Sequence, residues 1–276
     1  PIRIWDMTTG KEARRLDGVS APAGSLVFSP DGKTLASCGG YCSGDNTVRL
    51  WEIATGQELR KFADFTAGDD DGPGENRYGL AFSRDGKKLA GAGQDGTVRI
   101  WDAKTGREIC RFEHRWATAL AFSADGDELA SGSDGEVFTW DAHTGKARKR
   151  FTEGQSRIHA VQYAAGGILA ASEDGSMRCW DRRTGKTLFR AAGHLMGFSA
   201  EGDHVALNAA GRIEVWDVGK RKRDRTYKPD PDFCVDWPLF RSSGGLSAGG
   251  RTLVAADLSG IRVIDLTGGV ELTPWR

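Results

Sequence analysis

Long apolar runs are missing from this chain of 276 residues. None approaches the ~18 residues needed to cross a bilayer, so a soluble chain is expected. Charge excess is missing too: 38 basic and 38 acidic residues cancel. That balance argues against nonspecific nucleic-acid binding and against attachment to an anionic membrane. There is no nucleophile elbow, metal-ligand helix or phosphate loop. The five histidines are scattered, and neither His159 nor His194 has an evident Ser or Cys partner. Nothing nominates a reaction, a cofactor, a metal or a small-molecule substrate. Five cysteines make an odd number, unsuited to a disulfide framework. Cys110 and Cys179 fall in strand patterns, where a free thiol acts as a small apolar residue. Reduced cysteines fit a cytoplasmic location. Cys38 and Cys42 share one inserted loop, but structural zinc wants four ligands and no second Cys or His pair lies nearby in sequence.

What is present is a repeat. Trp-Asp or a close substitute occurs as Trp5-Asp6, Trp51-Glu52, Trp101-Asp102, Trp140-Asp141, Trp180-Asp181 and Trp216-Asp217, fading to Ile264-Asp265. The intervals are 46, 50, 39, 40, 36 and 48 residues, the spacing of one propeller blade. The stretch from Gly79 to Phe112 shows the unit. Leu80-Ala81-Phe82 is a short apolar strand, closed by the turn Ser83 to Gly86. Lys88 to Gly91 is a second strand, and Asp95-Gly96 turns the chain again. Thr97 to Asp102 alternates apolar with polar, as a strand with one covered face should. Thr105-Gly106 turns once more into a fourth strand, Glu108 to Phe112. Asp-Gly and Thr-Gly suit tight turns because glycine accepts positive φ without steric penalty.

The turns recur in phase. The first returns at Asp31-Gly32, Asp125-Gly126, Gly166-Gly167, Glu201-Gly202 and Gly249-Gly250. The second returns at Asp134-Gly135, Asp174-Gly175, Ala210-Gly211 and Ser259-Gly260. The third returns at Thr9-Gly10, Thr55-Gly56, Thr144-Gly145, Thr184-Gly185, Val218-Gly219 and Thr267-Gly268.

These residues resemble the WD-repeat family of β-propellers over essentially the whole chain. The resemblance implies that each Trp joins a polar network with an Asp of the second turn, a Ser of the second strand and a His before the first strand. Asp95 with Trp101, Asp134 with Ser131 and Trp140, and Asp174 with Trp180 match parts of it. Gly193-His194 is the one Gly-His pair, and His114 stands in for another. The regularity of the repeats also resembles bacterial WD-repeat arrays, often fused behind a signalling domain such as a protein kinase.

The expected fold is therefore all-β, a propeller of about seven blades of four antiparallel strands. The blades are 1–18 (partial), 19–63, 64–113, 114–152, 153–191, 192–228 and 229–276. The first supplies two strands only, Ile2 to Trp5 and Lys11 to Leu16, making 26 strands where seven closed blades need 28. The chain opens at Pro1 directly into a strand, so about 25 further upstream residues are expected to complete the ring. A longer array is the alternative.

Three insertions, Gly39 to Asn46, Ala63 to Tyr78 and Lys228 to Arg241, follow second or fourth strands and so share the top face. Long loops in a compact scaffold are commonly functional. Asp69, Asp70, Asp71 and Glu75 crowd one of them without the ligand spacing of a calcium loop. The basic run Lys220 to Arg225 and the segment Lys146 to Arg150 fall on outermost strands, where charge discourages edge pairing.

The residues leading into the innermost strands are expected to ring the top mouth of the channel: Arg77, Tyr78, Arg115, Trp116, Arg157, His159, Met196, Trp237 and Phe240. Arg and large aromatics dominate binding hot spots. The alternative placement is packing between blades. The function expected is a noncatalytic scaffold for a protein or peptide, a regulatory or recruitment module of a larger signalling protein. A propeller enzyme would need clustered carboxylates or histidines at the mouth, where Arg and aromatics stand instead. A purely structural segment of a longer array would have no high-affinity partner.

Overall fold

The computed structural model describes residues 1–6, 9–18, 23–39, 47–64, 79–93, 95–164, 166–229, 245–257, 260–268 and 270–275. The chain divides into two compact units, Pro1–Val161 and Gln162–Arg276. In the first, β1 (Ile2–Asp6) pairs with β2 (Lys11–Leu16) as a two-stranded sheet. Two four-stranded sheets follow: β3 (Ala23–Phe28), β4 (Thr34–Gly39), β5 (Thr47–Glu52) and β6 (Glu58–Asp64), then β7 (Gly79–Phe82), β8 (Lys88–Ala92), β9 (Thr97–Asp102) and β10 (Glu108–Glu113). After them come β11 (Ala119–Phe122), β12 (Glu128–Gly132), β13 (Asp134–Asp141) and β14 (Ala147–Ala164). Neighbouring strands are antiparallel and in chain order.

The second unit holds β15 (Gly167–Ser172), β16 (Ser176–Asp181) and β17 (Thr187–Ala192). Two four-stranded sheets follow: β18 (His194–Phe198), β19 (His204–Ala209), β20 (Arg212–Asp217) and β21 (Lys222–Tyr227), then β22 (Gly245–Leu246), β23 (Thr252–Asp257), β24 (Gly260–Asp265) and β25 (Val270–Trp275). The described strands number 25 rather than 26, because β14 is one strand of 18 residues. The boundary expected at 152/153 falls inside it. Its pairing with β13 shifts register between Thr152 and Arg157, opposite Glu136 and Asp134.

Two of the recurring turns are held by side chains. At the first turn, the Oγ of Ser29, Ser83, Ser123 and Ser199 accepts the amide of Thr34, Lys88, Glu128 and His204 at 2.9–3.0 Å. The same hydroxyls donate to Asp31, Asp85, Asp125 and Asp203 at 2.5–2.7 Å. These serines carry a repeat, Ser-x-Asp-Gly at Ser29, Ser83 and Ser123, that the turn glycines alone do not reveal.

At the third turn, the Asp of Trp-Asp is the latch. Asp102, Asp141 and Asp181 accept the amides of Thr105, Thr144 and Thr184 at 2.6–2.9 Å. These bonds hold the Asp102 and Asp181 carboxyls below the usual carboxylate range, the backbone amide being the largest cause. The left-handed position of this turn is a glycine at Gly106, Gly145 and Gly185, with φ of 77°, 71° and 76°. In the sheet β18–β21 it is Arg221, at φ 55°. The turn expected to use Gly219 therefore places its strained residue two positions later.

The Trp of the repeat fills the space between sheets. Trp51, Trp101, Trp140 and Trp180 are at most 8% exposed. Phe62 of β6 meets Trp101 of the next sheet at 5.3 Å, and Phe112 of β10 stacks on Trp140 at 4.1 Å. Aromatic pairs at such separations add about 0.5–1.5 kcal/mol to their burial. A Cβ at Gly145 would stand 3.2 Å from the carbonyl oxygen of Arg111 and 3.3 Å from the Phe112 ring. That glycine thus permits both the turn and the seating of β10 beneath it.

Among the described cysteines, Cys110 is half-buried and two lie in the core. Cys38 and Cys179 are buried, and burial raises the thiols of Cys110 and Cys179 to about 11 and about 12. The basic run spans the turn at Lys220 and Arg221 and the edge strand β21, with Arg223 paired to Glu214 and Lys220 to Asp217 at 2.6 Å each.

Candidate functional site

The segment between β10 and β11 is held at several points. The His114 amide donates to the Gly96 carbonyl at 2.9 Å. Its ring lies 2.6 Å from Ser131 Oγ through Nδ1 and 3.0 Å from Ser133 Oγ through Nε2. Trp140 Nε1 donates to the same Ser131 Oγ at 2.7 Å. Phe138 meets the His114 ring edge-on at 5.0 Å. Burial pushes this imidazole down to about 4, so it is neutral at pH 7. On the far side, the Thr118 amide donates to Gly132 O at 3.0 Å and its hydroxyl to Ile158 O at 2.7 Å. Ala117 is buried.

Between these anchors stand Arg115 and Trp116, both exposed. Trp116 is 37% exposed and held at φ 68°, a left-handed conformation unfavourable to a bulky side chain. Such strain persists only where the surroundings over-determine it, and it clusters at functional positions. Arg115 Cγ lies over the Gly96 turn, 3.2 Å from where a Cβ would be.

Arg157 of β14 joins the same corner. Its Nε approaches Asp134 Oδ1 at 3.3 Å, and the Ile158 amide donates to Ser133 O at 2.8 Å. Asp134 therefore turns to Arg157, and the His114–Ser131–Trp140 network has no carboxylate among the described residues. The grouping of Asp134 with Ser131 and Trp140 holds only for the latter two. Asp95 likewise pairs with Arg99 at 2.8 Å, a bond between two side chains that are 11–12% exposed.

The nine residues expected at one rim have different fates. Arg115 and Trp116 are exposed between the anchors, and Arg157 is half-buried against Asp134. His159 is half-buried on β14. Met196 is a correction: it is 4% exposed, in an apolar cluster with Ala206, Ile213, Val215 and Leu246. An unbranched thioether among aliphatic neighbours fills core space rather than offering a contact surface. Arg77, Tyr78, Trp237 and Phe240 lie outside the described residues, as do Cys42, the acidic stretch Asp69 to Glu75 and most of the three insertions.

His194 is also placed differently from the Gly-His expectation. The Gly193 amide donates to Gly175 O at 2.7 Å, just as His114 donates to Gly96 O. Gly193 is thus the counterpart of His114, and His194 lies over the Gly175 turn as Arg115 lies over Gly96. Sequence reasoning passed over Ser133 and Thr118; Ser133 has a faint signal in the run Ser131-Gly132-Ser133, and Thr118 has none.

Comparison with known proteins agrees with this architecture. The family model of the WD domain, G-beta repeat, matches residues 10–52 and 74–102. The model described as outer membrane protein assembly factor BamB matches residues 94–199. Nuclear distribution protein PAC1 of Arthroderma otae is 38% identical over 64 residues, 23% of this chain and 13% of that protein. The solved structure of U3-55K superposes with a TM-score of 0.70 at 20% identity, over 91% of this chain and 80% of that one. At that identity the likeness shows the fold. The plan of its sheets is that of the WD-repeat β-propeller fold, and residues 10–52 and 74–102 match the WD-repeat model.

Proposed function

We propose that this chain is a noncatalytic module that binds a protein or peptide through the corner formed by Arg115, Trp116 and Arg157. WD-repeat propellers are typically protein-interaction scaffolds, and what such a scaffold needs is a pre-ordered surface of hot-spot residues. The observation that carries the reading is Trp116: an exposed indole kept at positive φ between two anchored flanks. Pre-ordering lowers the entropy lost on binding, so a rigid aromatic beside a guanidinium gives affinity for little area. Arg115 supplies an exposed cationic donor, which suits a partner segment carrying a carboxylate next to an apolar side chain, while Arg157 is braced by Asp134. The role within a larger signalling protein rests on the sequence resemblance, and PAC1 is similar over a short stretch only.

The test begins with proteins captured on the immobilised chain and compares affinities. Arg115→Ala and Trp116→Ala should each weaken the captured partner by about 1–3 kcal/mol while the fold stays intact. A partner held equally well by both variants contradicts the proposed surface.

A further inference from the structure

Five of the third turns place glycine at their left-handed position: Gly10, Gly56, Gly106, Gly145 and Gly185, with φ between 70° and 78°. Glycine takes this conformation without steric penalty, whereas a residue with a Cβ is strained there. In the sheet β18–β21 the same position holds Arg221, at φ 55° and exposed. The turn itself needs no arginine, because Asp217 fixes its register by accepting the Lys220 amide at 2.8 Å. Strain of this kind clusters at positions that serve something other than the fold.

The charges around Arg221 are unequally matched. Lys220 pairs with Asp217 and Arg223 with Glu214 at 2.6 Å each, and Arg225 pairs with Asp224 at 2.7 Å. Those three carboxylates answer three of the five cations between Lys220 and Arg225. Arg221 and Lys222, adjacent and both exposed, have no ion pair among the described residues. Basic side chains on an edge strand repel a second basic edge. They attract an acidic one, and an arginine forced into a left-handed turn goes beyond what repulsion requires.

We propose that the turn 218–221 and the start of β21 form a docking site for an acidic segment of a partner protein, two of whose carboxylates meet Arg221 and Lys222. Charge complementarity specifies the occupant. A guanidinium takes a carboxylate through two parallel hydrogen bonds, and the neighbouring ammonium adds a point charge. Glu214, Asp217 and Asp224 stand among the cations, so a continuous phosphate backbone meets repulsion where separate carboxylates do not. The balance of 38 basic and 38 acidic residues also gives nucleic acid no broad field to follow. The site is independent of the docking corner at Arg115 and Trp116.

The experiment measures the anisotropy of a fluorescein-labelled peptide of six glutamates, and of its six-glutamine counterpart, at low ionic strength. The glutamate peptide should bind and the glutamine peptide should not. Arg221→Gly with Lys222→Gln should weaken binding by at least about fivefold. Glycine suits that turn, so thermal unfolding of this variant should occur at or above the parent temperature. Lys104→Gln with Arg107→Gln removes equal charge at the glycine-bearing turn of β7–β10 and should leave affinity within about twofold. Equal losses in the two double variants assign binding to net charge and overturn the proposal, as does a glutamate peptide that fails to bind. A single-stranded DNA hexamer held more tightly than the peptide, and lost with Arg221→Gly and Lys222→Gln, assigns the site to nucleic acid and overturns it equally.

Discussion

The sheets β11–β14 and β18–β21 share one strand plan but solve the problem of the repeat's Trp in opposite ways. In the first, Ser131 on the second strand receives the Trp140 indole and the His114 ring, and Trp140 is 8% exposed. In the second, Leu207 stands in the place of Ser131, Gly193 in that of His114, and Trp216 turns its Nε1 to Glu214 at 3.1 Å. Trp216 is only half-buried. Phe189 still stacks over it, at 6.2 Å and 6°. The aromatic stacking is thus common to both sheets, and the polar network belongs to one of them. What it holds is the segment that displays Arg115 and Trp116. The segment entering β18 has no such network and ends in a core residue, Met196.

The largest effects should come from the tryptophans themselves. Trp140→Ala is expected to destabilise by about 3–5 kcal/mol and the half-buried Trp216→Ala by clearly less, checked by chemical denaturation. Equal losses would remove the distinction between the two sheets. Next is the shared hydroxyl. Ser131→Ala leaves an indole N–H and a ring nitrogen unsatisfied and should cost about 1–3 kcal/mol. Ser37→Ala, which strands only the Trp51 indole, should cost less.

A pH effect distinguishes the two sheets further. The folded His114 pKa of about 4 lies below its ordinary 6.5, so the unfolded chain binds the extra proton first. Stability from this group is full above about 6.5 and falls as pH drops toward 4, by roughly 1–3 kcal/mol after allowance for partial solvent access. His114→Gln should flatten the stability curve between pH 6.5 and 4.5; an unchanged curve contradicts the buried neutral ring. The smallest effect is a gain. Arg221→Gly should stabilise the chain by about 0.5–1 kcal/mol, because it removes a left-handed side chain from the turn after β20.

The strand plan was legible because Trp-Asp, Asp-Gly and Thr-Gly recur in register, and each proves to be a packing or turn element. The serine latch of the first turn was equally periodic but hidden, since Ser is common and its partner is a backbone amide five residues on. Arg115 and Trp116 stand out by residue type and loop position, and both are exposed. Met196 was misplaced by the same reasoning, because position in sequence does not tell which way a side chain leaves the strand. The shift from Gly219 to Arg221 was invisible for a related reason: a glycine near a turn attracts the assignment, whereas the hydrogen bond from Lys220 to Asp217 fixes the register.

The most direct test is Trp116→Gly, measured for stability and for affinity toward a partner captured by the unmodified chain. Glycine relieves the positive φ, so stability should stay within about 1 kcal/mol of the parent or rise. Affinity should fall by tenfold or more, about 1.4 kcal/mol. A variant that binds as before, or that loses binding only by unfolding, contradicts a docking surface built on the held indole.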